Sequence, residues 1–160
     1  MDHDGANKLL VLLDCQGYSC GTKDILRTMN VFIAGAFTAR GRLREHRQVI
    51  RDLGHVCTCS WMDELKETWP DFEDSARQAI RDMIEIKACD CFILDTIDPS
   101  TFGNSYTEFG FSLGRMHPRY VVGPFRNHYQ LLCTRRFEGW EQFHEFFHAG
   151  ISERGHAGTG

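Results

Sequence analysis

The sequence has no apolar stretch long enough to cross a membrane: its longest aliphatic run is Leu9 to Leu13, whereas a span needs about 20 such residues. The same run is too short for the core of a secretory signal, so a cytoplasmic location is the expectation. Positive charge is not in excess either. With 18 Lys and Arg against 22 Asp and Glu the formal charge is −4, which removes any general attraction to nucleic-acid polymers and leaves room for a local basic pocket. Cys-x-x-Cys pairs, the Gly-x-Gly-x-x-Gly dinucleotide fingerprint and the Gly-Lys-Ser/Thr phosphate loop are missing, so dedicated zinc, dinucleotide and P-loop chemistry lose their usual signatures. Internal repeats and low-complexity tracts are missing too.

What is present is ordinary for one globular domain: 160 residues, 42% hydrophobic and 25% charged, close to typical soluble composition. Seven cysteines are an odd number in a chain large enough to build a core without staples, so reduced thiols are expected. Cys57 with Cys59 and Cys89 with Cys91 stand at alternate positions beside apolar runs, where thiols serve as small buried hydrophobes. His144 and His148 have helical spacing for a shared zinc ion, but the His-Glu-x-x-His order is absent, and an exposed helix face is the expectation.

Short apolar strands alternate with helical stretches, the pattern of a parallel sheet covered by helices. Residues 31–34, 55–60, 91–95 and 119–123 read as strands, and 129–133 as a fifth. Leu43, Arg47, Ile50 and Leu53 keep helical spacing up to Gly54; Ala76, Ala79, Ile80, Met83, Ile84 and Lys87 form a second amphipathic face. Residues 106–116 and 140–148 complete four helices. The expected fold is a single-domain, doubly wound, mostly parallel five-stranded sheet with helices on both faces, Rossmann-like or flavodoxin-like. The domain is expected over residues 29–150, with 1–28 an extension or added edge strand and 151–160 a flexible tail. In such sheets ligands sit beyond the carboxyl ends of the strands, which nominates the loops after Ala34, Ser60, Asp95 and Gly123.

Three stretches offer chemistry there. Gly103-Asn104-Ser105 leads from a strand into a helix, where backbone N–H groups and a hydroxyl suit an anion. Glu108 follows in what reads as the first turn, either as a reactive carboxylate or as a complement to the helix dipole. Asp82 falls at the edge of an apolar helix face, with Arg81 and Glu85 directed to solvent on the same wheel. Gly35-Ala36-Phe37 followed by Arg40-Gly41-Arg42 combines small residues that allow close approach with two arginines suited to clamping a phosphate. Phe37 and Trp61 are candidate walls for a flat base, or core.

The stretches Val31-Phe32-Ile33-Ala34-Gly35-Ala36-Phe37, Arg81-Asp82-Met83-Ile84 before Ala88-Cys89-Asp90, and Tyr106-Thr107-Glu108-Phe109-Gly110-Phe111-Ser112 resemble the nucleoside 2-deoxyribosyltransferase family over about residues 30–124. Arg40-Gly41-Arg42, and Pro99-Ser100 before the Glu108 loop, look closer to its 2'-deoxynucleoside 5'-monophosphate N-glycosidase branch. The resemblance implies that Glu108 attacks the anomeric carbon, that Asp82 orients the sugar or handles a proton at the base, and that Ser105 and the loop glycine hold the 5' end. It also implies a homo-oligomer, commonly a dimer. Phe102 stands where the transferases carry an Asp, six residues before the nucleophile.

Such residues suit the chemistry. Breaking an N-glycosidic bond passes through an oxocarbenium-like state that a carboxylate can stabilise and trap, while an acid protonates the leaving base. The expected function is cleavage or transfer of the N-glycosidic bond of a 2'-deoxynucleotide or 2'-deoxynucleoside through a glycosyl intermediate on Glu108. The expected partner is one small nucleoside or nucleotide, with no cofactor, nucleic-acid polymer or membrane required. Cleavage of nicotinamide from NAD, or nucleotide sensing without turnover, are the alternatives.

Overall fold

The computed structural model describes residues 28–64, 72–115 and 117–156. Five strands form one sheet in the order β2-β1-β3-β4-β5: β1 (Asn30–Ala34), β2 (Val56–Cys57), β3 (Cys91–Asp95), β4 (Arg119–Val122) and β5 (Arg135–Phe137). Every neighbouring pair is parallel, so the expected mostly parallel sheet is wholly parallel. Four helices cover it: α1 (Arg40–Asp52), α2 (Phe72–Ala88), α3 (Asn104–Leu113) and α4 (Trp140–His156). Helices α1 and α4 touch one another, as do α2 and α3, which places one pair on each face. This is the flavodoxin-like strand order, with its topological switch between β1 and β3.

The central strands explain themselves. β1 is buried from Val31 onward and β3 throughout, as strands covered on both faces must be. Their register sets Val31 opposite Cys91 and Ala34 opposite Leu94. Phe32 and Phe92 stack at 5.7 Å on one side of that ladder. Trp140, Phe143 and Phe147 bring α4 onto the core. Cys57, Cys59, Cys89, Cys91 and Cys133 are buried free thiols, in keeping with small core residues.

Several boundaries differ from the sequence reading. The second strand is only Val56–Cys57, because the chain turns into a 3-10 segment at Ser60–Asp63. The fifth strand is not 129–133. There the Asn127 side chain accepts from the backbone N–H of Gln130 at 3.2 Å and caps a 3-10 turn, His128–Leu132, leaving Leu131 and Leu132 exposed. The strand comes later, where Phe137 is buried and Arg135 pairs with Tyr120. Helix α3 begins two residues before the expected 106 and ends at Leu113. The last helix runs to His156, past the expected start of the tail at 151; the expected extension, apart from residue 28, and residues 157–160 lie outside the described residues.

Helix α2 differs most. Its buried positions are Gln78, Asp82 and Ile86, while Ile80 and Ile84 are 60% and 61% exposed. The expected apolar core face is thus turned outward, and a polar stripe faces the protein. No helix among the described residues is long and apolar enough to cross a membrane.

Candidate active site

The loops that leave the strands at their carboxyl ends are tied to one another. Ser105 Oγ donates to the carbonyl of Gly35 at 2.9 Å, joining the start of α3 to the end of β1. Thr38 Oγ1 reaches Asp98 and Ser100 in the loop after β3. The Arg40 guanidinium donates to the carbonyl of Glu64 at 2.9 Å, and Trp61 Nε1 to that of Ile33 at 2.8 Å. These links fix the floor and sides of one region over the switch point.

Two glycines earn their places there for different reasons. A Cβ on Gly35 would lie 2.7 Å from Leu43 Cδ1 and 3.3 Å from Asp95 Cβ, so the absence of a side chain here makes room for those two residues. Gly103 has φ +58° at the amino end of α3, a left-handed conformation that costs an L side chain. It lets the chain turn sharply, and α3 starts without a side-chain cap. Asn104 is exposed at that start. Ser105 is not the cap; its hydroxyl belongs to the Gly35 link.

Helices α2 and α3, which touch, each carry one buried carboxyl. Glu108 sits in the second turn of α3, not the first, and is 9% exposed, so dipole compensation does not account for it. Asp82 is 8% exposed on the facing helix. Burial first, then the charges of Asp82 and Glu85, push the Glu108 carboxyl up to about 8. Burial and the charge of Glu85 push Asp82 up to about 7, against the opposing pull of a hydrogen bond from Gln78 and of the Arg81 charge. Two carboxyls that repel one another in a desolvated site cannot both ionise readily, and together they hold about one proton near neutral pH. Such a pair supplies one anion and one acid at the same pH.

Around them stand groups the sequence reading did not assign. Gln78 Nε2 donates to Asp82 Oδ1 at 2.7 Å. Glu85, expected in solvent, accepts the Ser60 N–H at 3.0 Å. Arg81 is exposed as expected and pairs with Glu64 at 2.7 Å. The signal for Gln78 was its spacing: 78, 82 and 86 lie one helical turn apart, a stripe overlooked because two of its three members are polar.

The expected two-arginine clamp is not assembled. The Arg40 guanidinium lies over the Phe37 ring, 4.1 Å from its centroid. Arg42 makes a two-pronged pair with Asp95 at 3.0 Å on each arm. Asp95 is fully buried and also accepts from Trp140 Nε1 at 2.6 Å. Phe37 and Trp61 are both partly buried, and Trp61 packs on the core. His144 is not a plain exposed helix residue: its Nε2 lies 3.2 Å from His46 Nδ1, and His46 stacks on Trp140. Burial and the neighbouring His144 lower His46 to about 4. Among the described residues no three His, Cys, Asp or Glu side chains gather as a metal cluster.

A parallel 2-1-3-4-5 sheet covered by helices defines an α/β protein of the Rossmann-like class. Within that class, the fold is shared with the 2-deoxyribosyltransferase of the psychrotolerant bacterium Bacillus psychrosaccharolyticus: TM-score 0.59 and 21% identity over 76% of this chain and 95% of the other. It is shared also with a Clostridium botulinum CMP N-glycosidase, with TM-score 0.52 and 13% identity over 75% of this chain and 98% of the other. No protein-family model and no curated protein matches the sequence. The fold expected from the resemblance is therefore the fold observed.

Proposed function

We propose that the protein cleaves or transfers the N-glycosidic bond of a 2'-deoxynucleoside or 2'-deoxynucleotide, with Glu108 as nucleophile and Asp82 as proton donor. The observation that carries this reading is the buried Glu108 and Asp82 pair, raised to about 8 and about 7, on two facing helices. Fold likeness to a deoxyribosyltransferase and to a CMP N-glycosidase supports it.

The steps follow from the residues. Positive charge growing on the sugar favours the charged form of Glu108, leaving the shared proton with Asp82. A Glu108 oxygen bonds to the anomeric carbon as the carbon–nitrogen bond breaks; the electron pair leaves with the base, which takes the Asp82 proton. The Asp82 carboxylate then removes a proton from water as water attacks the anomeric carbon and frees Glu108. A second base in place of water completes transfer. Ser105, Gly103 and Asn104 at the start of α3 face the 5' end, with Gly35, Phe37 and Arg40 beside them. Arg42 acts through Asp95.

Each deoxynucleoside and its monophosphate, incubated with and without a second free base and separated chromatographically, tests the proposal. Release of base is expected from at least one of them. No release from any, and no nicotinamide from NAD, with nucleotide still bound, makes the protein a sensor. The rate should be bell-shaped in pH, highest between about 7 and 8, because the pair must carry one proton; a flat profile from pH 5 to 9 would remove the acid and nucleophile roles.

The protein acts in the cytoplasm as a homo-oligomer. Ile80 and Ile84 on α2 and Phe111 on α3, 60%, 61% and 37% exposed, line one outward apolar surface with Ala79, Met83 and Lys87, and apolar surface of this kind favours a covering partner. Light scattering of wild type and Ile84→Glu is the check. A dimer converted to a folded monomer is expected, and a monomeric wild type would overturn the proposal.

A further inference from the structure

We infer that Gln78 is a positioning residue for Asp82, holding its carboxylate in one orientation and favouring its charged form through the Nε2–Oδ1 hydrogen bond. This deepens the proposed function, since its effect on rate rests on Asp82 as proton donor.

Gln78 is 7% exposed, and its carbonyl oxygen is buried with no hydrogen-bond partner among the described residues. A buried polar atom without a partner costs about 1–3 kcal/mol. A Met of the same length would fill the space without that cost, so packing alone does not explain an amide here. Among the described residues its side chain donates to Asp82, four residues on, where helical spacing brings the two side chains together.

The electrostatic surroundings make that bond consequential. On its own helix Asp82 meets Arg81, which favours its charged form, and Glu85, which opposes it. Glu64, following the 3-10 turn, opposes it also, and Glu108 on α3 is coupled to it. Three of these four neighbours are acidic. The Gln78 N–H donor is thus one of two groups near Asp82 acting against the surrounding negative charge.

The test reads Asp82 directly. Carboxyl carbon NMR titration of the ligand-free protein should show the Asp82 midpoint rising by about one pH unit in Gln78→Met, and also in Gln78→Asn, whose amide is too short to make the same contact. In turnover assays the pH of maximal kcat should move upward with the midpoint while KM stays constant. An unmoved Asp82 midpoint in either folded variant overturns the inference. A moved midpoint in a protein that releases no base from any substrate leaves the inference standing and defeats the proposed function.

Discussion

Glu108→Gln is expected to abolish base release, lowering the rate by at least about a thousandfold, while making the protein more heat-stable at alkaline pH. The rate follows from the proposed role: without a carboxylate on the anomeric carbon no glycosyl intermediate would form, and losses of this size are what removal of a nucleophile produces. Asp82→Asn should cost less, within the range of about 10²–10⁴-fold typical of a lost general acid, because a solvent proton can replace a donor more readily than water can replace a bonded nucleophile. The stability effect has the opposite sign. Glu108 is raised from its ordinary 4.5 to about 8 by burial and by its acidic neighbours. A carboxyl raised on folding binds its proton more tightly in the folded state, so its contribution is fully present below the unfolded value and is lost as pH rises through about 8. Glutamine has no charge to bury. The two proteins should therefore melt together near pH 4, with Glu108→Gln ahead by several degrees at pH 9. Equal melting temperatures at pH 9 would mean that the carboxylate is well solvated in the folded protein, and the electrostatic basis of the site would fail with it.

Parts of the molecule differ in how legible they are in the sequence, for physical reasons. β1 and β3 are apolar runs read at nearly their true bounds, since a strand buried on both faces has no polar positions to confuse the pattern. The expected strand at 129–133 failed because apolar content alone cannot separate a strand from a capped 3-10 turn; Asn127 decides it, and its acceptor geometry appears only in three dimensions. Helix α2 inverted for a deeper reason. Periodicity identifies an apolar face and assigns it to the core, but here Gln78 and Asp82 take the buried side and Ile80 and Ile84 the exposed one. Asp82 is marked in the sequence by its place at the edge of the apolar face and by the Arg81-Asp82-Met83-Ile84 stretch, whereas Gln78, four residues away, carries no such mark. Asp95 was visible as the acidic end of an apolar strand at the edge where ligands bind, but its two partners come from α1 and α4, more than 40 residues away on each side.

Arg42→Ala is expected to destabilise the protein by about 3–5 kcal/mol and to slow turnover of nucleosides and monophosphates alike. Asp95 is fully buried and accepts two guanidinium hydrogen bonds at 3.0 Å and one from the Trp140 indole N–H at 2.6 Å. Removing the guanidinium leaves a carboxylate in the interior with one neutral donor, and an uncompensated buried charge costs far more than the net worth of the pair it came from. The reverse change should cost less: in Asp95→Asn the freed Arg42, whose side chain is 34% exposed, regains water. Combining Arg42→Ala with Asp95→Asn should recover much of the stability lost in Arg42→Ala alone, the non-additivity expected of residues in direct contact. Chemical denaturation of the four proteins measures this. A phosphate ligand behaves differently on both readouts, giving a small stability change and a selective loss for monophosphates, and that outcome would place Arg42 at the 5' end of the substrate. The pair also ties three parts of the site together, since Asp95 ends β3, Arg42 opens α1 directly after the Gly35 loop, and Trp140 opens α4. Loss of Arg42 therefore loosens the Gly35 carbonyl that Ser105 grips at 2.9 Å, and through it the start of the helix that carries Glu108. Turnover in Arg42→Ala should accordingly fall through kcat, with the double variant regaining activity in step with its stability.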